Sequence, residues 1–227
     1  MNDNISCRIP YKAPESLFDA SFLFTKLDSQ LNEEEKECVI CLRPIELSDH
    51  NGVSLPCFHK FHHECVLKAL KMNPKCPTCR CPLSDPCGQS PSGYMYVSLQ
   101  NFVCNGFEGK SDKTIVIRYE IPGGRQNKFH PTPGMKYHSI CRYAYLPYTE
   151  DGRNLLKRLK YAFQHGLTFC IGTSMTTGRS NVITWSSIHH KTSVNGGAVS
   201  HGFPDKNYFD NCNSELDALN VPSFDAL

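Results

Sequence analysis

The chain has 227 residues, 40% of them hydrophobic, and its 24 basic and 22 acidic residues leave a net charge of +2. This length accommodates one large domain, or a small metal domain beside one of ordinary size. The charge balance excludes a strong overall attraction to nucleic acid or anionic lipid. The first thirty residues lack a basic start followed by an apolar run, and no apolar stretch approaches the ~20 residues of a membrane span. We therefore expect neither a secretion signal nor a membrane partner.

The first 35 residues are interpreted as an N-terminal extension, because they show no clear periodicity. Within them the apolar run Phe22–Phe24 is predicted either to form a short strand or to dock onto the body of the protein. The remaining segments, in chain order, are predicted to be a zinc module at 36–85, a linker rich in proline and glycine at 86–93, a second domain at 94–220 and a tail at 221–227.

The zinc module contains eight residues of the types that ligate metals, arranged as four close pairs. They are Cys38, Cys41, Cys57, His59, His62, Cys65, Cys76 and Cys79. Each pair can chelate one side of a tetrahedron, and thiolate with imidazole is the donor set of structural zinc sites. The chain has 13 cysteines, an odd number, and no predicted secretion signal. Both points favour zinc over disulfides and a reducing compartment, cytoplasmic or nuclear.

The order of these ligands is typical of a zinc cross-brace, in which alternate pairs share an ion. The first site is therefore predicted to consist of Cys38, Cys41, His62 and Cys65, and the second of Cys57, His59, Cys76 and Cys79. His63 is the alternative to His62, but it leaves a single residue before Cys65, which is a tighter fit. Both sites are closed, so we expect two structural ions and no zinc-based hydrolysis. A short helix is predicted from His63 to Lys71.

The second domain is predicted to mix strands and helices. Strands are expected at 94–99 and 113–121, where β-branched and aromatic residues are frequent. Residues 127–149 are rich in Pro, Tyr and His without a clear period, and they are predicted to form an ordered but irregular surface. Two further strands are expected at 167–171 and 181–185. The fold class is therefore α+β.

Two helices are predicted in this domain. The first spans 152–164 and ends at Gly166. Its apolar side consists of Leu155, Leu156, Leu159, Ala162 and Phe163, and its water-facing side of Arg153, Lys157, Arg158 and Lys160. The second follows Pro204, is capped by Asp205 and reaches about Leu219.

The zinc module resembles the RING finger family, in its variant with two central histidines. The family implies a ubiquitin ligase that docks a ubiquitin-conjugating enzyme and activates its thioester for transfer. By position, Ile40 and Pro77 match the apolar contacts for the conjugating enzyme, and Arg80 matches the basic residue that bridges this enzyme and ubiquitin. A zinc fold without ligase activity, such as a PHD-like reader or an adaptor, is the alternative interpretation.

The second domain resembles the C-terminal domain of the Deltex family of RING ubiquitin ligases. The matching stretches are His130-Pro131-x-Pro133-Gly134, Arg142-x-x-Tyr145-Leu146-Pro147, Gly172-Thr173-Ser174, Ile183-Thr184-Trp185, Ile188-His189-His190-Lys191-Thr192 and His201-Gly202-Phe203-Pro204-Asp205. The resemblance implies a site for NAD⁺ or ADP-ribose. It also implies that ubiquitin's C-terminus is joined to ADP-ribose, either free or on a modified protein or nucleic acid.

The resemblance further implies roles for particular residues. Glu215 falls on the family's catalytic glutamate, and His201 is assigned with it as catalytic. His189 and His201 fall on the ligand-contacting histidines. The turn of Thr173, Ser174 and Met175 supplies further ligand contacts. Met175 stands where some members have a serine, and methionine cannot make the same hydrogen bond.

The residues themselves support part of this assignment. Tyr208, Cys212, Glu215 and Leu219 are spaced four, three and four, so they share one face of the predicted helix. A carboxylate half-buried in such a stripe could accept a proton near neutral pH. Alternatively, Glu215 lies at the edge of the stripe and reaches water. The pair His189-His190 also fits a structural role, and a third metal site with His201 is disfavoured because these residues lack a chelating pair.

The sequence therefore predicts a ubiquitin ligase that binds a ubiquitin-conjugating enzyme, ubiquitin, and ADP-ribosylated proteins or nucleic acid. Two alternatives remain. In one, an ordinary RING ligase uses its second domain only to recruit ADP-ribosylated substrates. In the other, the chain is a non-enzymatic zinc scaffold.

Overall fold

The computed structural model describes residues 5–13, 25–27, 37–45, 51–72, 75–81, 83, 88–174 and 177–227. The chain divides into two compact units, one from residues 14–86 and the other from residues 1–13 together with 87–227. In the part of the chain that is described, no helix combines the length and apolar character needed to cross a membrane. The predicted apolar run Phe22–Phe24 lies outside the described residues.

The described strands and helices follow one another along the chain. The strands are β1 (Cys7–Tyr11), β2 (Thr25–Lys26), β3 (Glu37–Cys38), β4 (Arg43–Pro44), β5 (Gly52–Ser54), β6 (Lys60–His62), β7 (Gly93–Gln100), β8 (Thr114–Ile121), β9 (Gly124–Arg125), β10 (Lys136–Tyr137), β11 (Ile140–Pro147), β12 (Phe169–Gly172) and β13 (Val182–Trp185). The α-helices are α1 (His63–Met72), α2 (Glu150–Gln164) and α3 (Tyr208–Ala218).

The smaller unit consists of short strands around one helix. β2, β5 and β6 form an antiparallel sheet, and β3 pairs with β4. Helix α1 follows β6 directly, which confirms the helix predicted in the zinc module. The buried apolar side chains between these elements are few, and they include Val53, Leu55, Phe61, Val66 and Leu70. A core of this size gives little stability by itself, and metal binding is the usual supplement in such a small fold.

The larger unit is built on an antiparallel sheet in the order β1-β7-β8-β11. Strands β7 and β8 confirm the two predicted strands, and their side chains alternate between buried and partly exposed. Strand β1 was not predicted from the sequence. It pairs with β7 along its whole length, from Cys7 opposite Val97 to Tyr11 opposite Gly93. Pro10, which lacks an N–H, is tolerated in β1 because this strand lies at the edge of the sheet.

Helix α2 contributes its apolar side to the core of this unit. All five residues predicted for that side are buried. Thr149 caps the helix by accepting a hydrogen bond from the N–H of Gly152 at 3.2 Å, so the helix starts two residues earlier than predicted. At the other end Gly166 has φ +69°, a conformation that glycine adopts without a steric penalty. The pair β12 and β13 confirms the last two predicted strands.

The prediction for residues 127–149 was wrong in its second half. Strand β11 covers eight of these residues and pairs in full register with β8, from Ile140 opposite Ile121 to Pro147 opposite Thr114. Its first residues are exposed at the edge of the sheet, so they show no alternation of apolar and polar types. Hydrogen bonding to a strand distant in sequence therefore fixes the conformation of this segment. Its local sequence does not indicate a strand.

The prediction that Arg158 faces water was also wrong. Its side chain is only 4% exposed, and it donates five hydrogen bonds to the end of α3 and the segment that follows. The acceptors are the carbonyls of Asn213, Val221 and Pro222, Oδ1 of Asn213 and Oδ1 of Asp217. Arg158 therefore joins α2 to the C-terminal half of α3.

The start of the last helix differs from the prediction as well. Asn207, and not Asp205, occupies the N-cap position of α3, and its side chain makes no capping hydrogen bond. Asp205 instead pairs with Lys191, whose Nζ lies 2.6 Å from Oδ2. The carboxylate thus compensates a buried ammonium through Oδ2, and its Oδ1 accepts from the N–H of Asn207 at 3.2 Å, just before the first turn of the helix.

We predict that Arg158→Met lowers the free energy of unfolding of this unit by about 3 kcal/mol, because the backbone carbonyls it satisfies lose their partner in a buried place. Lys157→Met, on the exposed side of the same helix, is the matched control and should change the free energy by less than about 0.5 kcal/mol. Urea unfolding followed by the fluorescence of Trp185, the single tryptophan, measures this unit. Equal stability of both variants would contradict the role given to Arg158.

Candidate functional site

The eight predicted metal ligands lie in two groups of four. Cys38, Cys41, His62 and Cys65 form one group, and Cys57, His59, Cys76 and Cys79 form the other, with the ligand atoms of each group within 4.8 Å of one another. This is the alternate pairing of the cross-brace. The described residues contain no third such group, so His189, His190 and His201 do not form one.

The donor sets fit zinc. Three thiolates and one imidazole in each group match a closed structural site. In the first group Nε2 of His62 lies 3.0 Å from the carbonyl oxygen of Pro44, to which it can donate, and this leaves Nδ1 for the metal. In the second group Nδ1 of His59 is buried without a hydrogen-bond partner, as expected of an atom that binds a metal. His63, the alternative to His62, points to Glu64 instead, at 3.6 Å.

The residues predicted to contact a conjugating enzyme lie on the surface of the smaller unit. Ile40 is 37% exposed and lies between two ligands, next to the exposed Val39. Pro77 and Arg80 are exposed in and after the last chelating pair. Arg80 has φ +60°, and its N–H donates to the carbonyl of Cys76 at 2.8 Å. The turn around the second site therefore fixes the backbone from which this guanidinium projects.

In the larger unit, His189, His201 and Glu215 line one groove. We call it the His189 groove; its volume is about 500 Å³, and the buried Lys191 and Tyr208 also line it. His189 follows strand β13, His201 has φ +53° at the end of a 3₁₀ turn, and Glu215 lies on α3. Three separate segments thus bring together the residues that the sequence analysis assigned to ligand contact and catalysis.

Both backbone groups of His189, its N–H and its carbonyl, are hydrogen-bonded to side chains of α3. Its N–H donates to Oε2 of Glu215 at 2.8 Å, and its carbonyl accepts from the hydroxyl of Tyr208 at 3.4 Å and from the thiol of Cys212 at 3.5 Å. These three side chains belong to the stripe that the helical spacing identified in the sequence. The stripe therefore faces a loop segment, and Glu215 is neither deep in the apolar core nor free in water.

Glu215 also contacts the ring of His189. Its Oε1 forms a short hydrogen bond with Nδ1 of the imidazole. The Glu215 side chain is 23% exposed, whereas the His189 side chain is 72% exposed. The carboxylate is thus held in place by its neighbours while the imidazole remains accessible from the groove.

The neighbouring His190 has a structural role. Its Nδ1 donates to the carbonyl of Ile188 and its Nε2 accepts from the hydroxyl of Tyr119, both at 3.0 Å. The ring stacks on Trp185 with centroids 4.2 Å apart. Burial lowers the pKa of His190 to about 4, so it is neutral at physiological pH. The ring anchors the segment from which His189 projects.

Lys191, the next residue, anchors the same segment to the start of the α3 region. Its ammonium is buried, pairs with Asp205 and lies 5.1 Å from the centre of the Tyr208 ring. The hydrogen bond from this ammonium lowers the pKa of Asp205. Lys191 is therefore a structural cation whose charge is compensated within the protein.

Thr173 and Ser174 line a different groove. We call it the arginine groove; its volume is about 570 Å³, and Arg142, Arg179 and Trp185 also line it. A small groove of about 240 Å³ includes Trp185 as well as His189 and His201, so it shares lining residues with both larger grooves. The predicted ligand contact Met175 lies outside the described residues. Arg179 was not singled out from the sequence, where it appears only as one basic residue in a loop.

We predict that acid destabilises the larger unit through His190. Its pKa is about 4 in the folded protein and 6.5 ordinarily. Between these values the unfolded chain binds a proton that the folded chain excludes, so the stabilising contribution is complete above pH 6.5. It is lost as the pH falls to 4, by about 3 kcal/mol at most.

Urea unfolding followed by Trp185 between pH 4 and 7 tests this prediction. His190→Gln should unfold with a shallower pH dependence than the wild type, whereas His165→Gln, at the end of α2, should keep the wild-type slope. Identical slopes for His190→Gln and the wild type would refute the assignment.

Comparison with known proteins identifies both units. The family model for the Deltex C-terminal domain matches residues 87–221, and that for the Ring finger domain matches residues 36–80. The chain is 40% identical over 198 residues to the human protein named Probable E3 ubiquitin-protein ligase DTX3; the match covers 86% of this chain and 55% of the relative.

Other relatives carry related names. The E3 ubiquitin-protein ligase DTX1 of Xenopus laevis is 36% identical over 204 residues, which is 80% of this chain and 32% of the relative. The E3 ubiquitin-protein ligase DTX4 of Mus musculus is 35% identical over 207 residues, which is 82% of this chain and 33% of the relative. The chain therefore spans about half the length of the DTX3 relative, and less of the other two. Since the Deltex C-terminal domain matches more than half of the chain and follows a matched Ring finger, this protein belongs to the Deltex family.

Proposed function

We propose that this protein is a RING-type ubiquitin ligase that joins ubiquitin's C-terminus to ADP-ribose or to ADP-ribosylated acceptors. In this proposal the zinc unit binds the charged conjugating enzyme, and the Deltex C-terminal domain binds ADP-ribose or NAD⁺. The relatives named as E3 ubiquitin-protein ligases support the first part. The observation that carries the second part is that His189, His201 and Glu215 line one groove.

The surface of the zinc unit supports binding of a conjugating enzyme. Ile40 and the neighbouring Leu42 are exposed apolar side chains in the first ligand loop, and Leu42 is 72% exposed. Exposed apolar side chains that lie close together are typical of protein interaction sites. Arg80 adds a planar group with five donors, which suits binding two carbonyl groups at once. The zinc ions, when bound, fix the loops that carry these residues.

The grooves of the larger unit support binding of ADP-ribose. The arginine groove offers two guanidinium groups and several hydroxyls, which suit a diphosphate. Trp185 connects the lining of this groove to the smaller groove that contains His189 and His201. The His189 groove then supplies groups for proton transfer at the ribose. An elongated anionic nucleotide with a reactive sugar fits these three neighbouring grooves, with its diphosphate in the first and its ribose in the last.

The proposed reaction transfers ubiquitin from the thioester to a hydroxyl of the bound ADP-ribose unit. Holding both reactants on one chain accelerates such a step by proximity. With NAD⁺ as the ligand, the same site would instead place ADP-ribose on the carboxylate of ubiquitin's C-terminus. In the transfer of ubiquitin, the acceptors are free ADP-ribose, ADP-ribosylated proteins or ADP-ribosylated nucleic acid.

We predict that the full chain, with a charged conjugating enzyme and ADP-ribose, forms a ubiquitin–ADP-ribose conjugate that mass spectrometry detects. Ile40→Ala and Arg80→Ala should each reduce both this product and transfer to free lysine at least tenfold, because both reactions need the bound conjugating enzyme. Glu215→Ala should abolish the conjugate and leave lysine transfer unchanged. Lys157→Ala is the matched surface control.

Isothermal titration separates the remaining possibilities. Saturable binding of ADP-ribose without any conjugate would favour a ligase that only recruits ADP-ribosylated substrates. Lysine transfer with no binding of ADP-ribose at millimolar concentration would refute the nucleotide part of the proposal. If the wild type discharges no charged conjugating enzyme and Ile40→Ala has no effect, the protein is a zinc scaffold instead.

A further inference from the structure

We infer that the outer face of the four-stranded sheet binds single-stranded nucleic acid through a row of two arginines and two tyrosines. The row consists of Arg8, Tyr96, Arg118 and Tyr143, and we call it the Arg–Tyr row. All four side chains line a groove of about 570 Å³ that shares no lining residue with the grooves assigned to ADP-ribose. Binding to this face requires neither ubiquitin nor ADP-ribose, so it goes beyond the proposed function.

The pairing of the strands aligns the row. Arg8 lies opposite Tyr96. Tyr96 also lies opposite Arg118, and Arg118 lies opposite Tyr143, so the row crosses all four strands. Because successive side chains of a strand point to opposite faces, and Met95 next to Tyr96 is fully buried in the core, the row points away from the core. Neighbouring strands lie about 4.8 Å apart, so the row is roughly 14 Å long.

Tyr96 holds both guanidinium groups of the row in position. The guanidinium carbon of Arg118 lies 4.4 Å from the centre of the Tyr96 ring, and that of Arg8 lies 5.8 Å from it. Arg8 also lies over the ring of Tyr94, at 4.1 Å. A guanidinium stacked on a ring keeps its planar set of N–H donors, which suits phosphate oxygens. Two such groups held in advance lose little freedom when they bind an anion.

Exposed aromatic rings lie beside the arginines. The Tyr143 residue is 45% exposed and belongs to the edge strand β11. Phe102 is 41% exposed, and its ring centre lies 6.4 Å from that of Tyr145, which also lines the groove. Stacking of a nucleic-acid base on such a ring contributes about 1–3 kcal/mol, whichever base it is. The face therefore offers stacking surfaces next to cationic groups.

The charge of the groove favours an anionic ligand. Among the described residues that line it, two are arginines and none is acidic. Arg118 pairs with Glu120 at 2.7 Å, so its charge is partly compensated. In the described part of the chain no carboxylate pairs with Arg8, whose charge is therefore available to a ligand. The whole chain has a net charge of only +2, so the attraction is local to this face.

Single-stranded nucleic acid is the ligand that uses both features of the face. An acidic peptide needs the arginines but no aromatic rings, and a proline-rich peptide needs the rings but no cations. A nucleic-acid strand with unpaired bases stacks them on aromatic rings and guanidinium planes while its phosphates pair with arginine. Four-stranded sheets that carry aromatic side chains on an open face bind single-stranded RNA in this way in other proteins.

We predict that the full, zinc-loaded chain binds a fluorescently labelled single-stranded RNA of about 12 nucleotides in an anisotropy titration. Tyr143→Ala should raise the Kd at least about fivefold, because one stacking contact is lost. Tyr143→Phe keeps the ring and should keep the wild-type Kd. Arg153→Ala is the matched control, since it removes a guanidinium that lies 5.1 Å from the ring centre of Tyr148 on another surface. It should leave the Kd unchanged.

The salt dependence tests the role of the arginines. Two phosphate contacts predict that log Kd rises with log salt concentration with a slope of about 1.4, and Arg8→Ala should lower this slope by about 0.7. Glu120→Gln removes the carboxylate that compensates Arg118, so it should lower the Kd by up to about fivefold. Tighter binding in this variant is a result that a purely structural role for the row does not predict. Trp185 fluorescence should show that every variant is folded.

Two results would overturn the inference. One is the absence of saturable RNA binding at millimolar concentration. The other is binding that excess ADP-ribose abolishes while Tyr143→Ala and Arg8→Ala leave it unchanged, since the RNA then lies in the ADP-ribose grooves. If an acidic or proline-rich peptide binds in place of RNA and depends on Tyr143, the face is a peptide site instead. Conjugate formation is a separate assay, so RNA binding stands or fails independently of the proposed function.

Discussion

The backbone of His189 is the point on which the candidate site depends. Its N–H is bonded to Glu215 and its carbonyl to Tyr208 and Cys212, so a loop that follows a strand is fixed to the last helix. Because a buried or half-buried backbone group without a partner is costly, these bonds hold the segment and the helix together. The groove exists between these two elements, and its reactive groups take their positions from the same contacts.

Other contacts in the larger unit hold the His189 segment and α3 in position. The His190 ring bonds to Tyr119 in the central part of the sheet, which ties the loop to the core. Arg158 binds Asn213 and Asp217 on α3, one helical turn apart, with Glu215 midway between them. Residues two positions from these point to the other side of the helix, so Arg158 fixes one side while Glu215 faces the groove. The smaller unit depends on a different interaction. Its apolar core is small, so we expect the binding of metal by its two groups of ligands to hold its loops in place.

The sequence predicted features that are encoded locally and missed those that depend on distant partners. The metal ligands and helix α2 follow from spacing, and the structure shows the same grouping and the same buried side. Strand β11 lies at a sheet edge, where the exposure of its first residues removes the alternating pattern, so pairing with β8 decides its conformation. Strand β1 does alternate between buried and exposed residues, but it has only five residues, and its place in the sheet comes from pairing with β7. The helical spacing identified the stripe containing Glu215, but its partner His189 lies 26 residues away and no periodicity connects the two.

The most direct test of the account is the protonation state of the His189 ring in the ligand-free protein. Nitrogen-15 NMR of histidine-labelled protein at neutral to slightly basic pH distinguishes the two neutral tautomers, and the His189→Gln variant assigns the signal. The account predicts a ring protonated at Nδ1, with Nε2 unprotonated, and loss of this preference in Glu215→Ala. A ring protonated at Nε2, or a tautomer that does not respond to Glu215→Ala, would contradict it.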